Sequence, residues 1–507
     1  MSQVRILPGV LSSGHRGRYS SVRVVFLWEL PREGFSQVRR IDVTGRRMIL
    51  GIAAVAAMMF STSGIAQAET PTKIMTLEGF QAPGTPEQYN KVKVIKQGPD
   101  NAKKILVLIP GTSAGASNFT PLGEGLLQRL NKGKGSKWAI WSIERRENLL
   151  EDHSYLEKYI KGKINSEQMT DYYLRYITDP SISPHFEPKT SEETVFARNW
   201  GMNVAVQDVR KVVNRANQHN RKVVLGGHSL GGSITTAYAT WDFNGKAGAK
   251  GLDGLVFIDG AGAREPEDLP TAEDAQDTLD RLAASPSPFI TLVPPFPWIA
   301  GVFNATGSTA AVQDPNGLST IRDWPVFPDN LTPPAPVTNA GQYGYGTDAS
   351  TSPASLALVQ SHFGHLATSG NPRKWVDGEL GTVRRAARVF AEKNGMDGTS
   401  WYHPARLSAD AGSINNGIAN PAQSVFGVKA TMGKYVDLPM YSFDTSLGDG
   451  RVAKATWRLA EQSHVPASEV RTVQKVGTYG HIDPLSALPK KNAFIKTVVP
   501  FLKEQVK

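Results

Sequence analysis

The chain contains no cysteine. That excludes disulfide bonds, a thiol nucleophile and any metal site built on thiolates. It does not specify a compartment, because a core of this size needs no covalent staples. Excess charge is also scarce beyond the N-terminus. Residues 1–68 hold nine arginines against three acids, so +6 of the formal net charge of +10 lies there and +4 is spread over the rest. No Lys/Arg block with interleaved aromatics follows residue 68, which argues against a nucleic-acid partner. Long hydrophobic runs are missing too. The apolar stretch Met48 to Phe60 is too short and too rich in Ala and Gly for a convincing membrane span.

That stretch has a different signature. Arg46 and Arg47 precede it, small residues follow, and the segment ends Ala66-Gln67-Ala68 before Glu69. Basic residues, a short apolar core and an A-x-A site make a signal peptide, with cleavage expected after Ala68. The expected destination is secreted or periplasmic, with no stable membrane span after signal removal. Residues 1–45 are Arg-rich and unpatterned, and read as a mis-called start rather than folded protein, with an extended leader or a cytoplasmic tail as the alternative. About 440 residues remain after residue 68. Their abundance of Gly and Pro (48 and 33 in the whole chain) suits a loop-rich protein.

The most informative stretch is Lys222 to Ser233, KVVLGGHSLGGS. A short β-branched and apolar run meets Gly226 and Gly227. His228, Ser229 and Leu230 follow, then Gly231 and Gly232, and a helical pattern begins. The form is G-x-S-x-G, a strand, a sharp turn and a helix with Ser229 at the point of the turn. Glycines on either side give the turn room, and the helix start aims backbone N–H groups at any negative charge that develops there.

Here the sequence resembles the α/β-hydrolase superfamily, in its secreted serine lipase and esterase branch. The resemblance implies an α/β fold: a mostly parallel, doubly wound sheet flanked by helices, with a large cap or lid insertion. It makes Ser229 the nucleophile and the N–H of Leu230 one oxyanion donor. The run Ile105 to Ile109 suits an inner strand, and Pro110-Gly111-Thr112-Ser113 after it is similar to the family's second oxyanion loop. Thr112 is the expected donor, with Ser113 as the alternative. Near the C-terminus, Val473 to Val476 and Gly477-Thr478-Tyr479-Gly480-His481 resemble the family's histidine loop, which makes His481 the general base. The acid is open among three residues. Asp449 follows a proline-led strand, Leu438 to Phe443, at the usual interval; Asp444 lies at that strand's end; Asp259 closes the strand Gly254 to Ile258.

Other elements follow from pattern. Helices are expected over Thr120 to Leu130, Met202 to Ala216, Gly232 to Trp241 and Thr271 to Ala283, and strands at Val92 to Val94 and Lys137 to Ile143. The run Glu144-Arg145-Arg146-Glu147-Asn148 reads as a pocket-rim loop or a solvated turn. Residues 69–262 and 436–507 are expected to form the hydrolase core, and 263–435 the insertion. Within the insertion, Pro286 to Val302 is dense in Pro, Phe and Trp, 304–354 is rich in Gly, Ser, Thr and Pro, and Leu356 to Leu366 and Leu380 to Asn394 have helical patterns. His362 and His365 would then share a helix face, but no third ligand stands out, so no metal is expected.

The chemistry implied is acyl transfer to Ser229 and then to water, with no cofactor. The expected substrate is a small-molecule or lipid-like ester. A peptidase or amidase on the same scaffold is the alternative, and a non-catalytic binding protein of this fold is a third. Haloalkane dehalogenase and epoxide hydrolase chemistry is disfavoured, since those enzymes carry an acid at the elbow.

Overall fold

A computed structural model describes residues 71–507 apart from 136, 263 and 354–360. The expected signal segment and its cleavage site lie outside the described residues. Eight strands form one sheet: β1 (Thr72–Glu78), β2 (Lys91–Gln97), β3 (Lys104–Ile109), β4 (Trp138–Glu144), β5 (Lys222–His228), β6 (Gly254–Ile258), β9 (Met440–Asp444) and β10 (Val470–Gln474). Their order is β1-β2-β4-β3-β5-β6-β9-β10. β1 and β2 are antiparallel to their neighbours, and all later pairings in this sheet are parallel.

The inner strands are apolar throughout because helices cover both faces, as a parallel sheet requires. The period of two is visible in β3. Ile105, Val107 and Ile109 pack into a core with the helices Met202–Ala216, Leu230–Ala239 and Arg451–Gln462. Leu106 and Leu108 face the opposite core, formed with Thr120–Leu130, Val383–Phe390 and Ala493–Gln505. Each such fully buried side chain contributes roughly 1.5–3 kcal/mol. This is the α/β-hydrolase fold.

Between β6 and β9 the chain adds helices and a small antiparallel hairpin, β7 (Gly364–Gly370) with β8 (Arg373–Asp377). The helix Val383–Phe390 from this stretch returns to the main sheet's second core. A third apolar cluster is largely aromatic. It joins Tyr172, Tyr173 and Phe186, from the excursion after β4, to Trp298, Trp401 and Tyr402.

The Gly-, Ser-, Thr- and Pro-rich stretch 304–354 contains the end of the helix Ile299–Gln313 and the helix Asn339–Thr347. The first is built from Ala, Gly, Ser and Thr and is largely buried, so it shows no amphipathic period. The start of Leu356 to Leu366 lies outside the described residues, and its end enters β7 instead of a helix. Among the described residues no helix is long and apolar enough to cross a membrane.

Candidate active site

The strand β5 ends at His228, and the helix Leu230–Ala239 begins one residue later. Ser229 makes the connection at φ 55° and ψ −124°. A non-glycine residue held there costs on the order of 1–3 kcal/mol, so the surroundings must enforce it. They do so by close packing. A Cβ at Gly227 would collide with the backbone of Gly231 and Gly232, and one at Gly231 would collide with the Ile109 carbonyl. Ser229 N–H donates to the Ile258 carbonyl at 2.9 Å, and its own carbonyl accepts from Gly232 N–H at 2.8 Å. Its hydroxyl caps no N–H of the helix that it starts. Ser229 is half-buried.

His481 is buried and reaches the same edge of the sheet. Its Nδ1 lies 2.5 Å from Asp259 Oδ2. Its backbone carbonyl accepts from His228 Nε2 at 2.9 Å, and the two imidazole rings lie 4.2 Å apart, centre to centre. Burial, followed by the neighbouring charge of His481, pushes His228 down to about 3. A neutral His228 therefore braces the histidine loop from the residue before Ser229. No hydrogen bond joins Ser229 Oγ to His481 among the described residues; bonds of this kind often tighten only around bound substrate.

The carboxylate beside His481 is thus Asp259, and neither Asp449 nor Asp444 occupies that place. Asp259 closes β6 at φ 50°, next to the elbow. Burial pushes its carboxyl upward, but hydrogen bonds from His481 and Thr445 outweigh that and hold it below the ordinary carboxylate value. The loop after β9, where the acid was expected, supplies donors to Asp259. Thr445 N–H donates at 2.8 Å, Gly448 N–H at 3.1 Å, and Thr445 Oγ1 also donates. Asp444 instead accepts from Val452 N–H at 3.0 Å and Ala453 N–H at 2.8 Å, at the start of the helix Arg451–Gln462. Asp449 is exposed in the turn before that helix, at φ 48°.

Beside the elbow, the loop after β3 carries Thr112 and Ser113. Ser113 N–H donates to His403 Nδ1 at 3.3 Å, whereas the N–H groups of Thr112 and Leu230 have no partner among the described residues. The loop is braced from behind. Arg145 donates to the Pro110 carbonyl at 2.7 Å and the Ala114 carbonyl at 3.2 Å, and pairs with Glu147 at 2.5 Å. Glu144 accepts from Ala116 N–H. Glu144 through Asn148 are all buried, so this run is no solvated turn. His403 is buried as well. Burial, with the Arg145 charge adding to it, lowers its pKa well below the ordinary value and keeps Nδ1 free to accept.

Sequence reasoning did not find a buried cluster near this loop. His153 lies between Glu151 Oε2 at 3.0 Å and Glu392 Oε2 at 2.5 Å, with Asp397 close by. Glu151, His153 and Asp397 bring three ligand-type atoms within 4.8 Å of one another. Their atoms are already engaged: Trp401 donates its N–H to Glu151 at 2.8 Å and its indole N–H to Asp397 at 3.0 Å. Residues far apart in sequence build the cluster, so no local motif marks it. His362 and His365 do not converge. His362 Nδ1 contacts Asp483 Oδ2 at 2.5 Å, and His365 lies on β7.

Among curated proteins, none matches this sequence. Among solved structures, a candidate lipase from Sulfolobus solfataricus is similar at 14% identity, over 86% of this chain and 94% of that one, with a TM-score of 0.45. The thioesterase domain from the curacin biosynthetic pathway is similar at 11% identity, over 85% and 99%, with a TM-score of 0.39. A soluble variant of monoglyceride lipase from Saccharomyces cerevisiae follows at 10% identity, over 86% and 96%, with a TM-score of 0.36. The alpha/beta hydrolase family itself matches residues 106–396. That match runs from β3 through the strained turn at Ser229 and on past β8, over more than half of the chain, and the chain belongs to the alpha/beta hydrolase family.

Proposed function

We propose that this hydrolase cleaves carboxylic esters through an acyl-enzyme on Ser229. The observation that carries the reading is the 2.5 Å contact between His481 and Asp259 at the sheet edge where the elbow presents Ser229. In this reading Ser229 Oγ attacks the ester carbonyl, and His481 Nε2 takes its proton and returns it to the leaving alcohol. Asp259 holds Nδ1–H, so that the imidazole keeps the right tautomer and its charged form is stabilised. The tetrahedral oxyanion is received by the N–H groups of Leu230 and Thr112. Thr112 is favoured over Ser113, because Ser113 N–H is already given to His403. Water, activated by His481, then releases the acid.

The substrate class is a small or lipid-like ester with an apolar part. The segment around Phe289 supports this, since Ile290 N–H bonds the carbonyl of His403, the residue that holds Ser113, and Leu292 and Val293 stand exposed beyond it. We assign the insertion a covering role over the cleft on the same ground. Export to a secreted or periplasmic location rests on residues 46–68 of the sequence.

The test is a panel of p-nitrophenyl esters of short to long acyl chains, run on wild type and Ser229→Ala. Wild type should hydrolyse part of the panel, and Ser229→Ala should lose on the order of 10⁴-fold or more in kcat. Equal rates for the two proteins, or no hydrolysis by folded wild type alongside turnover of the matching anilides, would overturn the ester reading.

A further inference from the structure

We propose that Asp483 and His362 form a positioning pair that docks the inserted segment onto the loop carrying His481, so that the charge on His362 governs how well that base is aligned. The proposal rests on His481 being the general base.

Asp483 is fully buried, and its two oxygens take four donors from two different parts of the chain. Oδ1 accepts His362 N–H at 2.7 Å and Ser361 Oγ at 2.9 Å. Oδ2 accepts Gly480 N–H at 2.7 Å and lies 2.5 Å from His362 Nδ1. Gly480 immediately precedes His481. One carboxylate oxygen therefore joins the insertion to the residue next to the base. The insertion is itself fixed at this point, because buried Asp348 accepts Phe363 N–H at 2.8 Å and Gly364 N–H at 3.1 Å. The base loop is also held by the His228 bond to the His481 carbonyl, by the Asp259 bond to the ring, and by Ser446 after β9, whose N–H and Oγ both donate to the Tyr479 carbonyl at 2.9 Å. All of these come from strands of the main sheet or the loops that end them. The Asp483 contact is the one through which the insertion acts.

The arrangement responds to charge. The side chain of His362 is 47% exposed, so it exchanges protons with solvent. The charged groups that face it are Asp483, at the start of the short helix Asp483–Ser486, and Asp348, which ends the helix Asn339–Thr347. The hydrogen bond to Asp483 holds His362 above the ordinary histidine value, against the effect of burial. An imidazolium makes a charge-assisted bond to the carboxylate, roughly twice as strong as a neutral one. The raised pKa fixes the direction of the effect. The clamp is at full strength below the ordinary histidine value and weakens as pH rises through the raised one.

The experiment is the pH profile of kcat and KM for wild type, His362→Gln and His362→Lys, with thermal stability measured alongside and Ser229→Ala as the control. In wild type, kcat should fall on the alkaline side as His362 deprotonates. His362→Gln should lower kcat near neutral pH by about 3- to 10-fold, leave KM nearly unchanged and remove the alkaline limb. His362→Lys, which keeps the cation, should restore the neutral-pH kcat and also lack that limb. A His362→Gln profile that superimposes on wild type would overturn the proposal, as would a pH-independent loss that tracks reduced thermal stability. Activity that persists in Ser229→Ala would overturn the ester reading and this proposal with it. A Ser229-dependent enzyme indifferent to residue 362 removes the pair alone. Asp483→Asn is unsuited as the primary variant, because four donors converge on that buried carboxylate.

Discussion

At the residue scale, the candidate nucleophile Ser229 and the candidate base His481 were legible because local sequence marks both: a glycine-flanked turn for one, a strand and a Gly-rich loop for the other. The acid was not, because three aspartates stand at strand ends or just beyond, and one-dimensional spacing does not say which loop folds over which. The loop after β9 does approach the site, and its Thr445 and Gly448 N–H groups serve the carboxylate of Asp259 from the preceding strand. The three candidates separate in kinetics. Asp259→Asn should lose about 10⁴-fold in kcat, because the amide favours the wrong imidazole tautomer. Asp444→Asn should retain most activity and lose about 1 kcal/mol of stability, as it weakens the acceptor for two N–H groups at a helix start. Asp449→Asn, exposed and in a left-handed turn that Asn also tolerates, should match wild type. Steady-state rates with denaturant melts measure all three. A full-rate Asp259→Asn enzyme would return the acid to the other two.

At the element scale, helices with a clear apolar stripe were predicted to the residue, as Thr120–Leu130 and Met202–Ala216 show. Ile299–Gln313 was not, because a small-residue helix buried on most sides shows no stripe to detect. The Glu144 to Asn148 run misled for the related reason that charge in sequence suggests solvent, yet here each charge has a buried partner. Arg145 bonds the carbonyls at both ends of the loop that carries Thr112. Lysine keeps the charge but cannot span two acceptors with a planar fork. Arg145→Lys should therefore let that loop drift, lowering kcat by about 10- to 100-fold while KM changes little, since an oxyanion donor acts in the transition state. Transition-state analogue affinity should fall in step with kcat. A variant that raised KM alone would show instead that Arg145 shapes substrate binding.

At the scale of the whole molecule, the insertion and the sheet are joined by buried charge as well as by apolar packing. Glu144, Glu151 and His153 come from the segment ending and following β4, and Glu392 and Asp397 from the insertion. Burial pushes Glu144 and Glu151 up to about 7 and Asp397 up to about 8. His153 is held well above its ordinary value, since Glu392 and Glu151 outweigh the opposing effect of burial. In the unfolded chain the carboxyls titrate near 4 and the histidine near 6.5. Between about pH 5 and 8 this cluster therefore holds protons in the folded state that the unfolded chain has released, and its contribution to stability falls as pH rises. Asp259 and the surface acids held below their ordinary values act in the opposite direction, but their contribution is complete by about pH 5. His228 and His403, also held below the ordinary value, oppose the decline further, up to about pH 7, where the unfolded histidines have lost their protons as well. The melting temperature should thus decline most steeply above about pH 7, where the buried histidines no longer oppose the raised acids, against the flatter profile of a protein whose buried acids are all paired with cations. Glu144→Gln is the variant to compare. Its amide oxygen keeps an acceptor for Ala116 N–H and removes one titrating group, at the cost of the bond that Asn148 Nδ2 donates to the other carboxylate oxygen at 2.9 Å. Its decline with pH should be shallower than that of wild type, with the two curves converging at acid pH. Parallel curves would mean that Glu144 is ionised in the folded protein across the whole range, and that the excess charge is relieved elsewhere in the cluster.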